Sequence, residues 1–544
     1  MDKIKNALTD KMLWILLSLA CIVRLYVWYV TPVLAKDGIS YINIAKHFIN
    51  GNFAGGLTHP YHPLYPLFIS LGSVANLEHE LSGRIISLLF SILSILTVYI
   101  FSKRLFNPQL AFITALLIAF HPYSVRLSVD VRSESLYFFF YMLGFCLGYA
   151  ALTTKESYLF LLTGTTSALA YLTRPEGVSI IVILSAWIAV HSIRDFKKPH
   201  WYVGPRNLCL LLIGFLIFSC PYLLYLKHHT HSWTLTQKKQ LSKISGINIL
   251  LNDKNKVLSK RKCDIPKWET SETLLNAEKD LSSRSGNFNT NSGAYQKNKS
   301  APDTKTRHIS IKKYLKPLFK IFNAFADALH YPFLIFLMIG ILSAVRNHTH
   351  KLINLYILSY IILFLFILYF LKLSSGYASV RHLMNIVLVT IFWTGLGVKN
   401  TYDWLIRWQK QPSQNLFSAK GIVFLCLIIT LFLPKTLKSF KQESIYIDAG
   451  LWIKTFYRDV PIILTDEPRV AFYANTLRLA VPKKMSYDKF IKYAKQKKVK
   501  LIIVSEDINT FIPDFFTKIH QSDMKKLIEL SAKEKKVIIY ETLY

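Results

Sequence analysis

Long apolar segments recur along the first 435 residues of this chain, and they constrain its fold more than any other feature. They are roughly 16 to 21 residues long, about the length that a helix needs to cross a bilayer. The runs lie at about 12–30, 85–102, 109–125, 134–152, 157–173, 177–193, 207–226, 329–345, 352–372, 382–398 and 420–435. The sequence therefore predicts a mostly α-helical, polytopic membrane protein with about eleven transmembrane helices.

The charge of the chain is strongly basic, and its distribution suggests an orientation. Lys and Arg number 66 against 32 Asp and Glu, a formal net charge of +34. No nucleic-acid recognition motif accompanies this charge, so no nucleic-acid partner is predicted. The basic residues instead fall in alternate short loops, as the positive-inside rule requires. We expect a multi-pass protein of the cell inner membrane with a cytoplasmic N-terminus and an extracytoplasmic C-terminal domain.

Composition divides the chain into four predicted regions. Residues 1–230 form an N-terminal transmembrane half, and 231–315 a polar, partly disordered extracytoplasmic loop. Further transmembrane helices follow in 316–437, and 438–544 form a soluble domain. In that domain buried strands are predicted at 460–465, 477–481, 501–505 and 537–540, with a helix at 487–498, which indicates a small α/β fold with a partly parallel sheet.

The connection between the first two apolar runs, residues 31–68, is unusually long, is rich in tyrosine and histidine, and contains one acidic residue. Long connections in compact proteins tend to be functional, and a carboxylate at a membrane boundary is a candidate functional group. Asp37 follows the first run directly. Tyr41, His59 and His62 are candidate substrate-binding residues of the same stretch. Residues 63–75 are apolar but too short to span, so we expect a juxtamembrane or re-entrant helix there.

Three further segments that the topology places outside carry arginines beside acids or a histidine. Their candidate residues are Arg132 and Glu134, Arg174 and Glu176, and Arg381 and His382. The planar fork of arginine binds phosphate in a bidentate manner. Several arginines on one side of a membrane therefore suggest an anionic substrate at its surface, with Arg174, Arg381 and Arg132 as phosphate contacts. Salt bridges within the loops are the alternative interpretation of each.

These segments resemble a known group of membrane enzymes. The shared features are KDGISYINIAKHF after the first run, HPYHPLYPLF, VRSESLYFFF, AYLTRPEGV and YASVRHLM. They are similar to those of the bacterial GT-C fold glycosyltransferases, relatives of dolichyl-phosphate-mannose protein mannosyltransferases and of aminoarabinose transferases that modify lipid A. The resemblance is strongest over residues 12–230 and specifies the superfamily rather than the substrate.

The resemblance implies a glycosyltransferase with a polyprenyl-phosphate sugar donor and an extracytoplasmic acceptor, which is a lipid, a glycan or a protein. It places Asp37 at the position of the general base. Protein mannosyltransferases often carry Asp-Glu here, whereas Asp37 is followed by Gly38, so Glu134 is the candidate for a supporting acid. A single carboxylate without a nucleophilic partner favours direct displacement with inversion.

No cofactor is predicted. The HPYH pair is a weak metal motif because proline breaks the helix that would align both rings, and a divalent metal stays an open alternative. Two other functions remain: a flippase or transporter of lipid-linked sugars, and a glycan ligase that uses lipid-diphosphate donors.

Overall fold

The structure is a computed structural model that describes residues 10–195, 202–237, 311–346, 350–375, 379–409, 416–457, 462–482, 485–519 and 523–543. It divides the chain into two compact units. The first comprises Met1–Lys256, Lys320–Asp448 and Ser531–Lys535, and the second comprises Val257–Phe319, Ala449–Leu530 and Lys536–Tyr544. Most of the predicted polar loop, from 238 to 310, lies outside the described residues.

Helices account for almost all regular structure before residue 457. In chain order they are α1 (Lys11–Tyr29), α2 (Lys36–Ile49), α3 (Phe53–Leu57), α4 (Leu64–Gly72), α5 (His79–Leu105), α6 (Pro108–Phe120), α7 (Pro122–Ser128), α8 (Glu134–Thr154), α9 (Ser157–Thr173), α10 (Val178–Asp195), α11 (Val203–Thr230), α12 (Ile311–Leu329), α13 (Phe333–Arg346), α14 (Lys351–Ser375), α15 (Val380–Trp408), α16 (Ala419–Thr436) and α17 (Ile445–Phe456).

The predicted multi-pass, mostly helical membrane fold is confirmed. Within the described residues, 8 helices are long and apolar enough to cross a membrane, or up to 10 if each of two bent pairs is one span. The predicted span at 157–173 forms α9, whose 17 residues lie at the short limit for a crossing. The count from sequence is higher chiefly because apolar runs do not reveal where a helix bends.

The long connection after α1 folds into three short helices. α2 begins after Ala35, whose backbone is extended, so that Asp37 lies in its first turn. A carboxylate in a first helical turn faces unpaired backbone N–H groups and is favoured there. The predicted juxtamembrane helix corresponds to α4 and the 3-10 turn that follows it.

A sharp bend of 59° separates α6 from α7, at the Pro122 that begins α7. Proline cannot donate the next helical hydrogen bond, so carbonyl groups at the end of α6 need other partners. Arg24 Nη1 donates to Ala119 O at 2.9 Å, and Thr436 Oγ1 donates to Phe120 O at 2.9 Å. Arg24, which lies within the first apolar run, is fully buried and stabilises this bend, and the segment with Arg132 and Glu134 follows α7.

The second unit contains a five-stranded sheet in the order β2-β1-β3-β5-β4. Its elements are β1 (Ile462–Thr465), α18 (Pro468–Ala474), β2 (Leu477–Ala480), α19 (Tyr487–Gln496), β3 (Leu501–Ser505), β4 (Met524–Ala532) and β5 (Lys535–Thr542). β1 pairs in parallel with β2 and β3, while β3 pairs antiparallel with β5. The predicted partly parallel sheet is therefore confirmed.

The edge strand β4 was missed by the sequence analysis. Its sequence, MKKLIELSA, has three charged residues, all exposed, as is typical of edge strands that avoid pairing with other chains. The predicted strands are those that pack on the core, which includes Leu464, Ile502 and Ile538.

Candidate active site

Side chains from four segments that are distant in sequence meet in one charged cluster of the first unit. Asp37 lies in α2, and Arg381 and His382 lie in the first turn of α15. The connection between α7 and α8 supplies Arg132 and Glu134, and the turn between α9 and α10 supplies Arg174 and Glu176. The structure thus brings together seven of the ten predicted site residues.

Two carboxylates of this cluster, those of Asp37 and Glu134, each contact two arginines. Asp37 is the more accessible of the two. Its Oδ2 atom lies 2.7 Å from Arg381 Nη1 and 3.9 Å from Arg132 Nη1. Its Oδ1 atom accepts a hydrogen bond from Tyr61 OH at 3.0 Å. The side chain is 31% exposed, so a substrate can reach it.

Glu134 is also held by two arginines, but it is almost completely buried. Its Oε1 atom lies 3.0 Å from Arg174 Nη1 and 3.2 Å from Arg381 Nη1, and its side chain is 2% exposed. Arg381 therefore connects Asp37 to Glu134 through one guanidinium nitrogen. Glu134 orients arginines and has little surface for a substrate.

Arg174 lies on the buried side of the cluster, between two carboxylates. In addition to Glu134 it contacts Glu176, with 3.5 Å between Nη2 and Oε1. His382 Nε2 lies 4.0 Å from the same Glu176 oxygen. The guanidinium of Arg174 is also 5.9 Å from the ring centre of Tyr137. This arginine already has two carboxylate partners, and it joins α9 to the start of α8.

Asp130 connects the segment between α7 and α8 to the beginning of α2. Its Oδ1 atom accepts hydrogen bonds from the backbone N–H groups of Ala35 and Val131, and its Oδ2 atom accepts from Arg132 Nε at 3.1 Å. Asp130 was not selected from the sequence, although it stands two residues before Arg132. Its bond to Ala35, two residues before Asp37, sets the distance between the two segments.

Arg84 of α5 provides a second connection beneath the same loops. It donates to the backbone carbonyl groups of Thr31 and Val129 through Nη1 and of Pro32 through Nη2. Because arginine presents several donors in a rigid fork, one side chain can satisfy several carbonyl groups. The loop that leads to Asp37 is thereby anchored to the loop that leads to Arg132.

The aromatic residues of the long connection lie beside the cluster. Tyr41 OH is 2.8 Å from Ser133 Oγ, and its ring packs on Tyr61 with 4.8 Å between ring centres. His59 stacks on the same Tyr61 ring at 5.1 Å. Tyr61, which orients Asp37 directly, was part of the analysed stretch but was not selected; its position two residues after His59 was the available signal.

His62 lies apart from the charged cluster. Its ring is 5.1 Å from that of Tyr171 and 5.2 Å from that of Tyr222, and only 2% of the residue is exposed. The predicted role of His62 in substrate binding stays a prediction.

The electrostatic environment keeps Asp37 ionised. Burial alone would raise the pKa of its carboxyl, but the hydrogen bond and charge of Arg381, with the charge of Arg132 and the hydrogen bond from Tyr61, lower it below the usual value. Burial, together with the negative charge of Asp37, raises the pKa of Tyr61, which therefore stays protonated and donates. The site offers an ionised, accessible carboxylate beside cationic groups.

The cluster contains carboxylates and a histidine, which are possible metal ligands. Its carboxylates contact arginines or a histidine, and no group of three or more His, Cys, Asp or Glu in the described part of the chain could hold a metal ion.

Comparisons with known proteins give one family and several structures. Residues 58–223 match the family of dolichyl-phosphate-mannose-protein mannosyltransferases. This region contains Arg132, Glu134, Arg174 and Glu176. No curated protein sequence matches the chain.

Among solved structures, the chain is similar to ArnT from Cupriavidus metallidurans bound to undecaprenyl phosphate, with TM-score 0.50, 12% identity, and coverage of 97% of this chain and 98% of that one. It is similar to the Archaeoglobus fulgidus oligosaccharyltransferase in complex with Zn and sulfate, with TM-score 0.56, 13% identity, and coverage of 98% and 73%. A third similar structure is that of AglB, from the same archaeon, with an inhibitory peptide and a dolichol-phosphate, with TM-score 0.50, 13% identity, and coverage of 97% and 74%.

The fold and the family match define a class of protein. They confirm the prediction from the sequence: the chain has the GT-C membrane fold, and its residues 58–223 match a family of glycosyltransferases.

Proposed function

We propose that this protein transfers a sugar from a polyprenyl-phosphate donor to an acceptor on the outer side of the membrane, with inversion at the anomeric carbon. The observation that carries the proposal is the contact of Arg381 with both Asp37 and Glu134, next to Arg132. A cationic group and an accessible carboxylate are the two components that the reaction requires. The similar ArnT structure with undecaprenyl phosphate supports the class of donor.

The donor phosphate binds at Arg381 and Arg132 in this proposal. Their side chains are 34% and 22% exposed, whereas Arg174 is 14% exposed and lies between two glutamates. The sequence ranked Arg174 first among the phosphate contacts, but burial favours the other two. Arg174 then serves to position Glu134 and, through it, Arg381.

Binding of the donor changes the partner of Asp37. The cluster contains four carboxylates, those of Asp37, Asp130, Glu134 and Glu176, against three arginines. A phosphate must therefore compete with a carboxylate for arginine, and the most exposed pair is Asp37 with Arg381. When the phosphate takes Arg381, Asp37 loses the contact that lowers its pKa and becomes a stronger base.

Asp37 acts as general base in the transfer step. Its carboxylate takes the proton of the acceptor O–H or N–H group while that atom forms a bond to the anomeric carbon. The bond from this carbon to the phosphate oxygen breaks, and the polyprenyl phosphate leaves with the electron pair. Arg381 and Arg132 stabilise the charge that develops on the leaving phosphate.

The acceptor is a lipid, a glycan or a protein. We place it on the side of Asp37 where Tyr61, Tyr41 and His59 form a packed aromatic group. The AglB structure, which contains an inhibitory peptide as well as a dolichol-phosphate, supports a second binding site beside that of the donor.

The orientation of the protein belongs to the same proposal. The basic short loops place the N-terminus in the cytoplasm and the charged cluster outside, in the inner membrane of a cell with an envelope. A periplasmic reporter fused after Tyr544 should be active and a cytoplasmic reporter silent. The opposite result would show that the charged cluster does not lie outside.

A direct assay tests the activity. Purified protein is incubated with radiolabelled polyprenyl-monophosphate sugars and an envelope extract as acceptor, and products are separated by thin-layer chromatography. Release of free polyprenyl phosphate that depends on Asp37 supports the proposal. A requirement for diphosphate donors would indicate the ligase, and movement of the intact lipid-linked sugar across liposomes without release would indicate a flippase.

A further inference from the structure

Helix α12 changes direction sharply before α13. The axes of Lys316–Leu329 and Phe333–Arg346 differ by 100°. α13 packs closely along α15 at Gly340 and Gly397; a Cβ on Gly340 would lie 1.8 Å from Trp393 O. Small residues allow such close approach between membrane helices. Since α15 is a candidate span of 29 residues, α12 must turn away from the direction of the spanning helices.

The two faces of α12 differ in chemistry. Three apolar residues project together from one face and are exposed: Leu318 is 47% exposed, Phe319 67% and Phe322 57%. Lys316 and Lys320, both exposed, lie four residues apart on the other face. An exposed apolar face beside a basic face is typical of a helix that lies in a membrane interface.

Ile321 and Asp327 of α12 contact the rest of the protein. Ile321 is 3% exposed. Asp327 holds the C-terminal end of the helix, because Lys435 Nζ donates to its Oδ1 at 2.6 Å and Tyr123 OH donates to its Oδ2 at 2.7 Å. These contacts fix the C-terminal part of α12.

We propose that α12 lies in the interface between membrane and water. Leu318, Phe319 and Phe322 lie among lipid chains, and Lys316 and Lys320 lie against anionic phospholipid headgroups. A lipid surface fits better than a protein partner because the helix leads directly into α13. Tyr331 at the bend is 56% exposed, as expected for an aromatic residue at headgroup level. The basic residues add charge complementarity to anionic lipids.

Helix α12 is connected to the charged cluster through α7. Tyr123, the partner of Asp327, belongs to α7, and α7 leads into the segment with Arg132 and Glu134. The lipid surface thus sets the position of α12, and α12 braces the helix before that segment. This inference does not depend on the identity of the donor or acceptor.

Site-directed spin labelling tests the orientation of α12. The six native cysteines are replaced by alanine, and Phe322→Cys and Asn323→Cys are labelled separately with a nitroxide in liposomes of phosphatidylcholine and phosphatidylglycerol. Asn323 is the matched control, because it is exposed and follows Phe322 directly but lies on the polar face. We expect the label at 322 to be accessible to oxygen and protected from a water-soluble nickel complex, and the label at 323 to show the reverse.

Brominated lipids test the charge preference. A fluorophore at position 322 should be quenched more by brominated phosphatidylglycerol than by brominated phosphatidylcholine, and Lys316→Gln with Lys320→Gln should abolish the difference. Surface electrostatics predicts about fivefold local enrichment of anionic lipid per lysine. Any one of three results would overturn the proposal. These are equal access of both labels to the nickel complex, protection of the label at 322 from both reagents, and quenching that does not depend on the lipid headgroup.

Discussion

Asp37 in the first unit and Asp466 in the second are two shielded carboxylates with opposite surroundings. Arg381, Arg132 and Tyr61 surround Asp37. Asp466 follows β1, is 5% exposed, and accepts from the backbone N–H of Ser505 at 2.9 Å and from its hydroxyl at 2.6 Å. Positive charge keeps the first ionised, whereas the second is satisfied within its own fold.

The pKa directions follow from this difference. Burial raises both, but at Asp37 the arginines outweigh it and the pKa falls below the usual value. At Asp466 the hydrogen bonds from Ser505 do not compensate for burial and for the charge of Glu467, so the pKa rises. A candidate catalytic carboxylate is thus identified by accessible charge partners and not by burial alone.

The largest effect is expected for Asp37→Asn. Asparagine keeps the size and much of the hydrogen bonding but cannot accept the acceptor proton, so single-turnover sugar transfer should fall by about 10²–10⁴-fold. Glu134→Gln is the matched control, because Glu134 contacts the same Arg381 but is buried, and its loss should be smaller. Full transfer by Asp37→Asn would contradict the mechanism. If Glu134→Gln were inactive at the same time, the base would be Glu134.

Arg381→Ala should have the next largest effect. A hydrogen bond to a charged group contributes about 1.5–3 kcal/mol, so kcat/KM for the donor should fall by about ten- to hundredfold. Arg381→Lys should recover only part of it, since an ammonium lacks the bidentate fork. Steady-state kinetics with varied donor measures both variants. Unchanged donor kinetics in Arg381→Ala would show that this arginine is structural.

The pH dependence separates free and donor-bound enzyme. In the free enzyme the pKa of Asp37 is lowered, so the acid limb of kcat/KM for the donor should lie below the ordinary aspartate pKa of about 3.9. Donor phosphate removes Arg381 from Asp37, so the acid limb of kcat should lie at higher pH. Arg381→Gln should move the kcat/KM limb upward as well. Coincident acid limbs in the wild-type protein would contradict the exchange of partners.

The sequence predicted the class of fold and the segments of the site, because apolar runs and loop charges report topology directly. Residues 344 positions apart, Asp37 and Arg381, were both selected because topology puts their segments on one side. Their contact, and the burial that favours Arg381 over Arg174 as the phosphate ligand, depend on how helices pack. The same holds for the burial of Arg24 at the bend before α7, which the apolar run containing it does not predict.

The smallest effect is expected for Asp466→Asn, which sharpens the contrast with Asp37. A raised pKa in the folded state means that the charged form of Asp466 costs stability at neutral pH, and that this cost disappears as the pH falls through the folded pKa. Asparagine carries no charge and can keep contacts to Ser505, so the free energy of unfolding should change by less than about 1 kcal/mol. Thermal unfolding of the full chain in detergent measures this, with Ser505→Ala as a mildly destabilising control. Sugar transfer should be unchanged, because Asp466 is buried and satisfied by Ser505. The contrary result would be a loss of transfer as large as that of Asp37→Asn without a change in unfolding temperature. Burial and internal hydrogen bonds would then not distinguish a structural carboxylate from a catalytic one in this protein.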